Sequence, residues 1–239
     1  MTRDPLPAAV GLSHLAVYGS EAPDGELGGS PHVHLACTEA YVVQAGHGRL
    51  QTLGPEGFRE LPLERFDVVW FTPGVIHRLV NDGDLEILVV MQNDGLPEAG
   101  DAVLTFPPEV LADPDAYAAA AAPASPEAVY ASDEQAAQAR RDLAVRGFEL
   151  LRAGGPDALT AFYAAALALV ADRLPEWEQR WRAGPLAAAE RTGELLAALR
   201  AGDTGRLGEA RVRHARPAAP RRLGMCGRLA TIDLPGGST

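Results

Sequence analysis

The chain contains no lysine; all 21 of its basic residues are arginine. That absence excludes a Schiff-base lysine and the lysine of a phosphate-binding loop, two common foundations of an active site. Cysteine is almost as scarce. Cys37 and Cys226 are the two present, and two cannot make a disulfide framework. The most apolar run, residues 158–170, is too short and interrupted to span a bilayer. The opening MTRDPLPAAVGL lacks the charged-then-apolar pattern of a secretory signal. Concentrated positive charge is missing too. A net charge of -11 over 239 residues disfavours a phosphate backbone as partner. The expectation is a cytoplasmic protein with no nucleic-acid and no membrane partner.

What is present falls into two halves. Residues 10–18, 39–45, 48–53, 58–63, 68–71 and 86–92 alternate apolar and polar side chains or are short β-branched runs, the signature of strands. Gly46 with Gly48, residues 54–57 and Asn81-Asp82-Gly83-Asp84 are read as the turns between them. Many short strands separated by turns predict an antiparallel sandwich or barrel. Beyond Asn93 proline and alanine dominate, which predicts a linker. Ser132 with Gln135 three residues on predicts a capped helix ending at Gly154-Gly155. Pro156 opens a second helix with an apolar stripe of Leu159, Phe162, Tyr163, Ala166, Leu167 and Val170, which Pro175 should end. Residues 185–200 predict a third helix, with Leu186, Leu195, Leu196 and Leu199 as its apolar side. Residues 228–234 read as a late strand returning to a barrel edge. The expected division is therefore a β-barrel over 1–110, a linker over 111–130, a helical extension over 131–205 and an arginine-rich tail over 206–239.

Chemistry concentrates in two clusters, PHVHLACTEAYVVQAGHG and WFTPGVIHRLVN. His32 and His34 are two apart, so on a strand their imidazoles project from one face and can grip one ion. Glu39 has the opposite parity and joins them only if the chain turns at Ala36, Cys37 and Thr38. Thereafter Glu39, Tyr41 and Val43 share a face.

The spacing HxH, four residues, Glu, six residues, Gly, followed by PGxxHxxxN at Pro73, Gly74, His77 and Asn81, resembles the two motifs of the cupin superfamily. Where that family usually has other residues, this chain has Glu26, Phe66 and Thr72, all at turns or strand entries. The resemblance implies a cupin-type antiparallel β-barrel (jelly roll), mainly β, with a C-terminal α-helical region outside it. It further implies a divalent transition metal, Mn, Fe, Ni, Co, Cu or Zn, held by His32, His34, Glu39 and His77. An enzyme acting on a small oxygenated molecule follows as the leading expectation, either a sugar-type isomerase or epimerase or a dioxygenase. A non-catalytic metal-binding or ligand-sensing cupin is the alternative. By the same resemblance a homodimer is expected.

Around the metal, Tyr41 is either a group that orients substrate or supplies a proton, or an aromatic filling the barrel. Trp70 and Phe71 cannot both face inward, and one should wall the pocket. Gln92 reaches the barrel mouth or merely ends its strand. Arg78 follows His77 and should point to the opposite face, away from substrate. His14, His47 and His214 are read as ordinary polar residues rather than ligands.

Overall fold

A pleated strand with one buried face needs apolar side chains at every second position, and residues 11–17, 39–63 and 76–91 meet that need. All three stretches are strand, apart from the turn at Pro55 and Glu56, in the computed structural model, which describes residues 5–121 and 133–232. Among the described residues nine strands make up one sheet system: β1 (Gly11–Val17), β2 (His32–His34), β3 (Glu39–Gly54), β4 (Gly57–Leu63), β5 (Val68–Phe71), β6 (Ile76–Met91), β7 (Ala102–Leu104), β8 (Arg222–Leu223) and β9 (Gly227–Thr231). Their order is β4-β3-β6-β1-β9-β8, with β5 against β3 and β2 between β6 and β7.

The ribbon of β3 and β6 governs everything else. Each strand is 16 residues long, and they pair from Glu39 opposite Met91 to Leu53 opposite Ile76. The glycines at 46 and 48 do not end β3, and 81–84 is not a hairpin turn. Both strands run on through those residues as bulges, with the register shifting between Val43 and Gly48. Gly46 takes φ 69° and Asp84 φ 47°, and a Cβ on Gly46 would collide with the Asp84 carbonyl. Turn-type residues here bend a ribbon instead of closing one. The bend folds the ribbon back on itself, so that its two ends face each other inside the barrel. By contrast, Gly54 and Gly57 do pair across a tight hairpin.

The segment read as a linker is helical as far as it is described. Helices α1 (Pro108–Leu111) and α2 (Pro114–Ala121) follow β7, and Leu111 and Ala121 are buried. The capping Ser132 lies outside the described residues. Asp133 caps α3 (Glu134–Val170), its carboxylate accepting from Ala136 N at 2.8 Å. Gly155, at φ 64° and ψ -153°, interrupts α3 just before Pro156. Leu159, Phe162, Ala166 and Val170 are buried in the second half, while Leu167 is 52% exposed.

Pro175 does not end a helix. It lies in the first turn of α4 (Leu174–Trp181), where its missing N–H costs nothing. Helix α5 (Ala187–Arg200) buries none of its residues, so Leu196 and Leu199 are exposed. Within Glu134–Arg200 one window is apolar enough, by length and composition, to cross a membrane. Gly155 and the 3-10 turn Ala171–Arg173 break that run.

Helix α3 sits directly on the barrel. Thr105 Oγ1 donates to Ala144 O at 2.9 Å, and Gly147 leaves no room for a Cβ against the backbone of Thr105 and Phe106. Buried Arg140 donates to Gly224 O at 2.7 Å, tying the helix to the tail. Strand β9 pairs with β1 from Ser13 opposite Thr231 to Val17 opposite Gly227.

Candidate metal centre

Three elements deliver four side chains to one point. Strand β2 carries His32 and His34, and it stops at His34 because the chain bends at Leu35 and Ala36. Strand β3 then opens on Glu39. His77 lies at the start of β6, opposite His32 across the ladder. Along the β3–β6 ladder Glu39 pairs with Met91 and His77 with Thr52, so in register they are far apart. The folded ribbon brings Glu39 Oε2 to 3.0 Å from His77 Nε2 and 3.4 Å from His34 Nε2. One ligand atom from each of His32, His34, Glu39 and His77 lies within 4.8 Å of the others, and all four residues are buried.

The hydrogen bonds around the rings decide which nitrogens face inward. His32 Nδ1 lies 2.9 Å from Ser30 O and His77 Nδ1 lies 3.0 Å from Val75 O. A carbonyl only accepts, so each Nδ1 carries the proton and donates. His34 Nδ1 is 2.9 Å from the Asp101 carboxylate, which accepts in the same way. With Nδ1 committed in this way, each ring in its neutral form turns the lone pair of Nε2 inward. His32 Nε2 and His77 Nε2 end up 3.1 Å apart, and Glu39 Oε2 is buried beside them with no hydrogen bond in proper geometry. Nε2 atoms facing one another beside a buried carboxylate oxygen that has no hydrogen bond form a donor set suited to a cation. This donor set fits a divalent transition metal.

The electrostatics agree. Burial opposes the charge on Glu39, yet His77 and His34 hold it well below the usual carboxylate range. Burial also disfavours an imidazolium at His34, but Asp101 and Glu39 outweigh it and raise the ring to about 10. At His32 burial, then His77 and His34, push the value well down. Two carboxylates thus favour positive charge at the centre, in a place where water cannot supply it.

Above the cluster opens a cavity of about 700 Å³, with His32, His34, Glu39 and Tyr41 at its floor. Tyr41 is buried, and its ring lies 5.3 Å from Phe71 and 6.3 Å from His77. Burial and then Glu39 raise its phenol well above the ordinary value, so it stays protonated. Phe71 is the inward member of its pair, 8% exposed and 4.2 Å from the His77 ring. Trp70 is not in the pocket; strand alternation turns it outward, and it is 68% exposed. Gln92 is not in the pocket either. It is exposed, and its Oε1 accepts from Thr38 N at 3.1 Å, fastening the end of β6 to the segment between β2 and β3. Arg78 points away from the cluster and is buried against Gly29 O and the Asp24 carboxylate.

Sequence reasoning missed Asp101, which is fully buried and accepts from Leu35 N and Ala36 N as well as from His34. It missed Cys226 too, a cavity residue whose Sγ lies 3.9 Å from His32 Nδ1. Asp101 has no motif spacing to betray it. Cys226 could have been found by pairing the late strand with β1.

Residues 20–91 match the family model described as a cupin domain. Residues 20–91 carry a cupin domain. That match covers the turn before β2, both clusters and the ribbon. The match leaves out β1, β7, the helices and the tail. Among solved structures the chain is similar to an uncharacterised protein with a double-stranded β-helix domain from Klebsiella pneumoniae (20% identity, 35% of this chain and 64% of that one, TM-score 0.26). It is also similar to a cupin protein from Bacteroides fragilis (20% identity, 36% and 65%, TM-score 0.27). A third is a Streptomyces protein, Pac13, described as a nucleoside dehydratase (13% identity, 37% and 63%, TM-score 0.29). The chain thus spans less than two thirds of the length of each. Likeness at this level says nothing of activity. No curated protein matches the chain.

Proposed function

We propose that His32, His34, Glu39 and His77 hold one divalent transition metal, and that the chain is an enzyme acting there on a small oxygenated molecule. The observation that carries this reading is the convergence of three inward-facing Nε2 atoms on an otherwise unsatisfied, buried carboxylate oxygen. A bound metal would supply Lewis-acid polarisation of a substrate oxygen or activation of a small oxygen species.

The chain's own residues set the rest. The floor of the cavity exposes His32, His34 and Glu39, whereas His77 is sealed behind them. Substrate therefore approaches from the side opposite His77. Tyr41 lies at that floor with its phenol protonated, so it donates a hydrogen bond to a substrate oxygen rather than accepting a proton from it. Phe71 packs on His77 and keeps water from that side. At the mouth Arg173, Arg180 and Arg222 stand among Asp94, Glu98 and Glu176. Three positive against three negative groups favour a neutral or mixed-charge polar substrate over a phosphorylated one.

Elemental analysis of untagged protein, wild type beside His77→Ala, tests the centre. The expected result is near-stoichiometric metal in the wild type and loss of most of it in the variant. Substoichiometric metal in both would sink the proposal. Oxygen uptake and isomer formation across diketones, aromatic diols and aldoses then separate dioxygenase from isomerase chemistry. Tight ligand binding without turnover under every metal points instead to the sensor reading.

A further inference from the structure

The helical region lies outside the matched cupin domain, yet it reaches both ends of the ligand set. Tyr163 of α3 donates its hydroxyl to Gly74 O at 2.6 Å. Gly74 belongs to the turn that leads into His77, and its N–H donates to His34 O at 2.9 Å. From α4, the buried Trp177 donates Nε1–H to Ala99 O at 3.0 Å, and Arg173 of the preceding 3-10 turn reaches the same carbonyl at 3.4 Å. Ala99 lies in the turn Pro97–Asp101, where Gly100 leaves the space that the Arg173 guanidinium fills. That turn ends on Asp101, whose Oδ2 meets His34 Nδ1 while Oδ1 takes the N–H groups of Leu35 and Ala36 at 3.0 and 2.6 Å.

We propose that Asp101 is a positioning residue for His34, and that the helical region braces the metal ligands through Trp177 on the Asp101 turn and Tyr163 on the His77 turn. The inference rests on the metal reading above. Its physical core is that both carboxylate oxygens are committed. One accepts from the ring and so leaves Nε2 free to ligate; the other fixes the backbone just after His34. An amide at position 101 cannot do both. If its oxygen takes the two N–H groups, its NH2 faces Nδ1 and forces the proton onto Nε2, the ligating nitrogen. If it flips, the N–H groups of Leu35 and Ala36 lose their side-chain acceptor. Carboxylate partners of ligating histidines orient the ring and set its tautomer, which is why this one contact should be felt at the metal.

The test uses the full chain and Co(II), whose visible absorption reports ligand geometry and whose affinity is read by chelator competition. Asp101→Asn should lower cobalt affinity about 10–100-fold and alter the spectrum at saturating metal. Tyr163→Phe keeps its ring and removes one hydrogen bond, and Trp177→Phe keeps an aromatic, though smaller, side chain and removes the other, so each should lower affinity about fivefold. Should Asp101→Asn fail to fold, those two variants decide. Wild-type affinity and spectrum in the folded variants overturn the inference while leaving the metal reading intact. A change in Asp101→Asn alone overturns the role of the helices. A wild type that takes up no cobalt overturns the metal reading and this inference with it.

Discussion

Two positions show how single residues hold this molecule together away from the candidate metal centre. Arg78 immediately follows His77 and therefore points out of the site, where it is fully buried against Asp24. Burial opposes the charge of Asp24, but the Arg78 guanidinium outweighs it and lowers the carboxyl below its usual value. A depressed pKa contributes stability that is complete above the unfolded value, about 3.9, and is lost as pH falls through the folded value. Asp24→Asn should therefore cost about 2–3 kcal/mol at pH 7, because it leaves a buried guanidinium without its partner. The variant should also lose less stability than the wild type between pH 5 and pH 2, roughly the window that linkage assigns to such a carboxylate. Urea unfolding at several pH values checks both, and parallel acid curves would refute the assignment. Gly147 is the second position. Any Cβ there meets the backbone of Thr105 and Phe106, so neither partner can yield by changing rotamer. Gly147→Ala should cost about 1–3 kcal/mol despite the better helix propensity of alanine, measured by thermal or urea unfolding.

Among the elements, β9 carries a clear expectation. Its backbone groups pair with β1 over Gly227–Thr231, and Cys226 and Leu229 beside them line the cavity. Amides of β9 directed at β1 should exchange with solvent much more slowly than those of the neighbouring segment 210–217, which carries no secondary structure. Hydrogen exchange by mass spectrometry reads this directly, and equal rates in the two segments would argue that β9 is not docked. The elements also show what the sequence made legible and what it hid. Side-chain parity is local, so it correctly put His32 with His34 on one face, demanded a turn before Glu39 and sent Arg78 away from His77. It also required one of Trp70 and Phe71 to face out without saying which, because both are aromatic. Gly46 and the 81–84 residues carry the same chemistry whether they close a hairpin or bulge a ribbon, and only the pairing partner decides. Pro175 is equally ambiguous, since proline both follows helices and opens them. Asp101 was hidden for a different reason. Its partners are 65 to 67 positions away, and a buried carboxylate leaves no periodic trace.

At the scale of the whole molecule, the barrel interior and the helical region share one core. Tyr41, Val43, Ile76 and Ile87 belong to the same buried cluster as Phe148, Leu159, Phe162 and Trp177. Metal in the barrel should therefore stabilise the helices as well, since a ligand that binds only the folded state adds RT ln(1 + [L]/Kd) to the stability of whatever unfolds with it. At a free metal concentration of 100 times Kd that is about 2.7 kcal/mol. For a chain of this size a shift of that kind moves the melting temperature by roughly 5–10 °C. Scanning calorimetry with far-ultraviolet dichroism should show barrel and helices melting together, with the midpoint falling on chelation and returning with Co(II) or Zn(II). His77→Ala should melt at the lower midpoint and ignore added metal. A helical signal that does not move while the barrel transition does would mean the two parts unfold separately. In that case the contacts of Tyr163 and Trp177 could not transmit metal occupancy, whatever their distances.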